Sequence, residues 1–324
     1  MVGATEQRAA PAPAPVDRGP REQSRARYPE TTGTIERDRV RVAYEVYGEG
    51  SPTILLLPTW SIVHSRIWKA QIPYLARHFR VVTFDGRGNG RSDRPTAAAA
   101  YAGREFVADA VAVLDATGTD RAVIAGLSMG GGYGLELAAT HPERVLGAVF
   151  VGPSVDLDEP EPPPDDAFLS LPDDLDADDG WARYNGAYWR REWPAFARWF
   201  FGRVFSEPHS TKPIDDGVAW ALETDPETMI RIHEAPYQAL PDGPAWAGET
   251  VAAVAFARRI TCPTLVIHGD DDRLTNLRVG RRLAELLGGR LAILRGAGHA
   301  PISRDPVAVN LLLRDFVDGL GRRP

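Results

Sequence analysis

The chain has 324 residues, of which 44% are hydrophobic and 25% charged, and a net charge of −7. That length allows one large domain with an insertion, or two small domains, with ample apolar material for a core. The acidic balance argues against a nucleic-acid partner, which would present phosphates to a negative surface, and no run reaches the roughly eighteen apolar residues that a membrane span needs.

Residues 1–32 read as an extension rich in Ala, Pro and Arg. Its Ala9-Ala-Pro-Ala-Pro-Ala-Pro15 stretch favours extended conformations and cannot bury a core of its own. It lacks the apolar run of a secretory signal, so the expected location is the cytoplasm. If such an arm is ordered, contacts must offset about 1–2 kcal/mol of backbone entropy per residue. A neighbouring subunit is the natural source of those contacts, so a homo-oligomer is expected.

From about residue 33 a β/α alternation begins. Val40 to Tyr47 alternates as a half-buried strand does, and Thr53-Ile-Leu-Leu-Leu57 is a buried-strand run ending at Pro58. A helix is expected over Ser65–Arg77, a strand over Arg80–Phe84, a helix over Phe106–Leu114 and a strand over Ala122–Ala125. Then come a helix over Tyr133–Ala139 and a strand over Val145–Val151. This alternation predicts an α/β fold with a mostly parallel sheet and helices on both faces.

Between about residues 155 and 250 the alternation stops. The segment is acidic and Pro-rich, then aromatic, and it carries Trp181, Trp189, Trp193, Trp199, Trp220 and Trp246 of the chain's eight tryptophans. It reads as a helical cap inserted into a core formed by residues 33–154 and 251–324. In that second part a strand is expected over Thr264–Ile267, a helix over Leu277–Leu287, a strand over Leu291–Leu294 and a last helix around Val307–Leu320. Cys262, the only cysteine, leads into the first of these strands and reads as a small core residue. It cannot form an internal disulfide.

Gly126-Leu-Ser-Met-Gly130 is a G-x-S-x-G motif in a strand-to-helix setting. A serine there sits in a sharp, strained turn, and the helix N-terminus behind it aims free N–H groups at a reacting carbonyl. Ser128 is therefore the candidate nucleophile, and the Met129 amide one oxyanion donor. A serine hydroxyl needs a base. His299, in the small-residue loop Gly296-Ala-Gly-His-Ala-Pro301, lies between the last strand and helix, which a doubly wound sheet brings to its carboxyl edge. His64, His78, His141, His209 and His233 read as surface or packing residues; His268 ends a strand and could contact the acid loop. The imidazole needs a carboxylate to fix its tautomer. His268-Gly-Asp-Asp-Asp272 offers three, and Asp156 is an alternative after an earlier strand. No cofactor and no metal site is expected.

These residues resemble the α/β-hydrolase superfamily from about residue 36 onward. Asp85-Gly-Arg-Gly-Asn-Gly-Arg-Ser92 is similar to that family's D-x-R-G-x-G-x-S loop, which supports the elbow. Gly269-Asp-Asp-Asp272 resembles its G-x-x-D acid loop, which selects Asp272. The family's His-Gly pair after the third strand is replaced by Pro58-Thr59, and by position Trp60 supplies the second oxyanion amide. Within the superfamily the chain looks most like bacterial carboxylesterases, lactonases and cofactor-free haloperoxidase-like enzymes, and more distantly like lactonases of the mycotoxin zearalenone. The resemblance implies a small-molecule ester or lactone substrate. Carbon–carbon bond hydrolysis by the same triad and a ligand-binding receptor are the competing readings. Trp181, Trp189 and Trp193 are the candidate pocket residues.

Overall fold

The computed structural model describes residues 25–157, 180–208, 210–235 and 248–321. Its eight strands form one sheet: β1 (Thr31–Arg37), β2 (Val40–Tyr47), β3 (Thr53–Leu56), β4 (Arg80–Phe84), β5 (Ala122–Leu127), β6 (Val145–Val151), β7 (Thr264–Gly269) and β8 (Arg290–Leu294). The spatial order is β1-β2-β4-β3-β5-β6-β7-β8. Pairing is antiparallel at β1–β2 and β2–β4 and parallel from β4 to β8.

The central strands are apolar at nearly every position because both faces are covered. Alternate residues of β3 divide between two cores: Ile54 and Leu56 pack on one face with Trp68 and Phe316, Leu55 on the other with Val113 and Leu135. Helices α1 (Ile72–Leu75), α2 (Gly103–Ala116), α3 (Met129–Thr140), α7 (Gly248–Arg259), α8 (Leu277–Leu287), α9 (Pro301–Arg304) and α10 (Pro306–Leu320) flank the sheet. Between β6 and β7 stand α4 (Gly186–Val204), α5 (Lys212–Ala221) and α6 (Pro226–His233).

Two expectations change. The helix read over Ser65–Arg77 is a 3-10 turn at Ser65–Trp68 followed by the short α1. Pro73 sits in the first turn of α1, where its missing N–H is harmless; further inside one continuous helix it would remove a hydrogen bond. Strand β1 went unread, and its pairing with β2 begins at Thr31, two residues before the expected core. Its hairpin turn, Asp38-Arg39, takes left-handed backbone angles (φ 54° and 64°) without a glycine to signal it. In the aromatic segment, α4 is kinked at Glu192, two residues before Pro194.

The extension lies largely outside the described residues. Its last part docks on the same chain: Arg25 pairs with Glu45 at 2.8 Å, Arg27 donates to the Ala76 carbonyl, and the Glu30 amide donates to the Val46 carbonyl. Trp246 and His209 also lie outside the described residues. Cys262 is partly buried against the second core, and burial raises its thiol pKa. Among the described residues no helix is long and apolar enough to cross a membrane, and no His, Cys, Asp and Glu cluster has the spacing to hold a metal.

Candidate active site

Ser128 stands between β5 and α3 at φ 54° and ψ −122°, a region that L-residues rarely adopt and that costs roughly 1–3 kcal/mol. The turn is possible because its neighbours lack side chains. A Cβ on Gly126 would fall 2.1 Å from the Gly130 carbonyl oxygen, and one on Gly130 would fall 2.4 Å from the Pro58 carbonyl oxygen. The Ser128 amide donates to the Val151 carbonyl at 3.0 Å, and its own carbonyl accepts from Gly131 and Ser154. Its side chain is thus thrown up at the carboxyl edge of the sheet, with Met129 as the first residue of the helix behind it.

Asp272 follows β7 and His299 follows β8. The His299 Nδ1 lies 2.9 Å from Asp272 Oδ2. The other contacts of Asp272 are dense. Its Oδ1 accepts from the Leu274 and Thr275 amides, and His268 Nε2 lies 3.2 Å from Oδ2. Burial would raise this carboxyl. The His299 charge and the hydrogen bonds from His268, His299 and Thr275 outweigh burial and hold it well below the usual carboxylate range. The other carboxylates read as candidates are placed elsewhere: Asp270 accepts from the Gly296 amide, Asp271 from Ser206 and Arg273, and Asp156 is exposed. Gly152, next to the residue that anchors Ser128, ties the two halves together. A Cβ there would sit 2.8 Å from the His299 carbonyl oxygen and 3.5 Å from Asp272 Oδ2.

The loop from Pro58 to Ser65 runs against α3. Its support comes from the Asp85–Ser92 loop. Asp85 Oδ1 accepts from the Ser65 amide and hydroxyl, Asn89 donates to the Ser61 carbonyl, and Ser61 donates to the Arg87 carbonyl. The Arg87 guanidinium is itself buried in a two-pronged pair with Asp109. The expectation that this motif supports the elbow thus takes a narrower form, since these bonds run to the Trp60 loop.

Trp60 is buried beneath α4 and α6. Its ring lies 5.7 Å from Tyr184 and His233, 6.1 Å from Trp189 and 5.0 Å from Phe200. Of the three tryptophans expected in a pocket, Trp189 meets Trp60 but is wholly enclosed by rings. Trp193 packs on Trp189 and donates to the Ala221 carbonyl, and Trp181 is partly exposed beside Trp199 and Tyr184. Sequence reasoning missed Tyr184 and His233. The Tyr184 hydroxyl and His233 Nε2 are 2.8 Å apart, both residues are only partly buried, and burial pushes the imidazole down to about 4. No local signal marks them, since Tyr184 lies in the short turn before α4 and His233 at the end of α6.

A strained serine at a strand–helix elbow, with a histidine–carboxylate pair across the same sheet edge, defines the class as an α/β hydrolase. The alpha/beta hydrolase fold family matches over residues 52–306, and the chain belongs to it. It is 32% identical over 237 residues to the 2-hydroxymuconate semialdehyde hydrolase of Pseudomonas sp. (strain CF600), covering 72% of this chain and 74% of that one. Among solved structures, Est816, described as an N-acyl homoserine lactone degrading enzyme, superposes at a TM-score of 0.69 with 27% identity, covering 88% of this chain and all of that one. The enol-lactonase of Burkholderia xenovorans LB400 shares the fold at a TM-score of 0.71 with 24% identity, covering 88% of this chain and all of that one.

Proposed function

We propose that this hydrolase cleaves a carboxylic ester or lactone through an acyl-enzyme formed on Ser128. The observation that carries this reading is the His299–Asp272 contact of 2.9 Å at the sheet edge that presents Ser128. In the first step His299 Nε2 takes the Ser128 proton as Oγ attacks the carbonyl carbon. The oxyanion is received by the Met129 and Trp60 amides. His299 then gives the proton to the leaving alkoxide, and the ester bond breaks; in a lactone the alcohol stays tethered to the acyl group. Water, deprotonated by His299, releases the acid. Asp272 remains ionised throughout and stabilises the imidazolium.

The aromatic layer above Trp60 supports a bulky, ring-bearing substrate over a short acetate. Trp60, Trp181, Tyr184 and His233 are the side chains proposed to meet it, with Trp189 and Trp193 packing behind them. A macrolactone of the zearalenone type is the most specific candidate. The likeness to a lactone-degrading structure favours lactones. The likeness to a semialdehyde hydrolase favours a second reading, hydrolysis of a carbon–carbon bond in a vinylogous diketone.

A panel of aryl esters, large and small lactones and vinylogous diketones, read by mass spectrometry with Ser128→Ala as control, tests both. Ester or lactone products that vanish in the control support the first reading. Diketone cleavage alone supports the second, and tight binding without turnover supports a receptor.

A further inference from the structure

The base His299 is held from two sides. Asp272 grips its imidazole, and the cap grips its backbone. The strap formed by the end of α4 and the residues just after it, 204–208, lies along the histidine loop. The Val204 carbonyl accepts from the His299 amide at 3.2 Å, and Glu207 Oε1 accepts from the Gly298 amide at 2.7 Å. Ser206 donates to the Asp271 carboxylate, one residue before the acid. Glu207 is buried and faces the buried Arg304 of α9, whose Nε lies 3.3 Å from Oε2. Arg304 also donates to the Ser210 carbonyl and sits 5.5 Å over the Phe205 ring. The approach needs a glycine in the loop: a Cβ on Gly298 would fall 2.8 Å from Ser206 Oγ and 3.1 Å from the Val204 carbonyl oxygen.

We propose that Glu207 is a positioning residue for His299, clamping the histidine loop to the cap through the Gly298 amide. A buried carboxylate on a backbone amide makes a charge-assisted bond that water cannot replace. Two consecutive amides, 298 and 299, are thereby fixed to one strap, and the rotation that would carry the imidazole away from Ser128 is opposed at its root. Arg304 is the counter-charge beside the buried Glu207 carboxylate. The fold of the core needs none of this, since the strands on either side pair without the strap. What the strap adds is the placement of one side chain.

The proposal rests on His299 acting as the base, and two readouts separate the ideas. Glu207→Ala is expected to lower kcat on the best ester found by up to about a hundredfold, the effect of misplacing a reacting group by about 1 Å, with KM within about twofold. Glu207→Gln keeps an acceptor for the Gly298 amide and should recover most of that loss. Gly298→Ala pushes the strap away while leaving the buried charge pair in place, and should reproduce the kcat loss even where Glu207→Ala folds poorly. Independently of turnover, the His299 Nδ1 proton shared with Asp272, assigned by its loss in His299→Gln, should shift or broaden in Glu207→Ala and Gly298→Ala and return in Glu207→Gln. Folded variants with wild-type kcat and an unmoved proton overturn the proposal. A wild-type protein that hydrolyses no ester, yet whose proton responds as described, sinks the ester reading and leaves the positioning role standing.

Discussion

Two histidines, one at the sheet edge and one in the cap, have surroundings that differ in kind. His299, at the sheet edge, meets an ionised carboxylate that two backbone amides and a second histidine also hold. His233, in the cap, meets the Tyr184 phenol and the rings of Trp60 and Trp189. The first imidazole has an anion beside it, while desolvation keeps the second neutral. Under the proposed function the sheet edge carries the proton transfer, and the cap holds an apolar ligand beside one neutral polar pair.

The contrast breaks most sharply at Ser128. Ser128→Ala should lower turnover about a million-fold, measured on the best substrate of the panel; a variant keeping a tenth of wild-type activity would remove the serine from the mechanism. Asp272→Asn should cost about ten-thousandfold in kcat by leaving His299 in the wrong tautomer. Asp271→Asn and Asp156→Asn, both exposed, should change kcat little, so a large loss at Asp156 would move the acid to the end of β6. In the cap, Tyr184→Phe and His233→Phe should leave kcat on a small aryl acetate within a few-fold and shift KM for ring-bearing lactones. A matching loss on both substrates would place these residues in the chemistry instead.

The smallest effect is on stability against pH. His233 has a folded-state pKa of about 4, below its usual 6.5. Between those values the unfolded chain binds the proton and the folded chain does not, so stability falls as pH falls through that window. His233→Phe should flatten the dependence of denaturation midpoint on pH between 6.5 and 4. Asp272, also depressed, acts lower: its contribution is present above the ordinary carboxylate pKa and is lost below it. An unchanged slope in His233→Phe would mean that the imidazole is protonated in the folded state.

The central strands were legible because a strand covered on both faces must be apolar throughout, whatever its neighbours are. Helix α8 was read to the residue, with Asn276 capping its start and Gly288 ending it in the left-handed conformation. Strand β1 was not, since an edge strand with one partner carries little apolar pattern, and its turn uses Asp38 and Arg39 where a glycine would have announced it. The stretch Ser65–Arg77 is not one helix, because Pro73 in its interior would remove a helical hydrogen bond.

What the sequence determined by itself is the chemistry that local backbone demands. Gly126 and Gly130 around Ser128 follow from how closely neighbouring chain must approach, and the small residues before His299 from the close contact with the strap. Asp272 was singled out among three adjacent aspartates by the resemblance of its loop to the family's acid loop, whereas the pairing of Tyr184 with His233 and the reach of Glu207 across 91 residues to the Gly298 amide were decided only by the tertiary structure. Those contacts join segments with no common period or motif, and the partner of a buried polar group is fixed by which chains fold past it rather than by its neighbours in sequence.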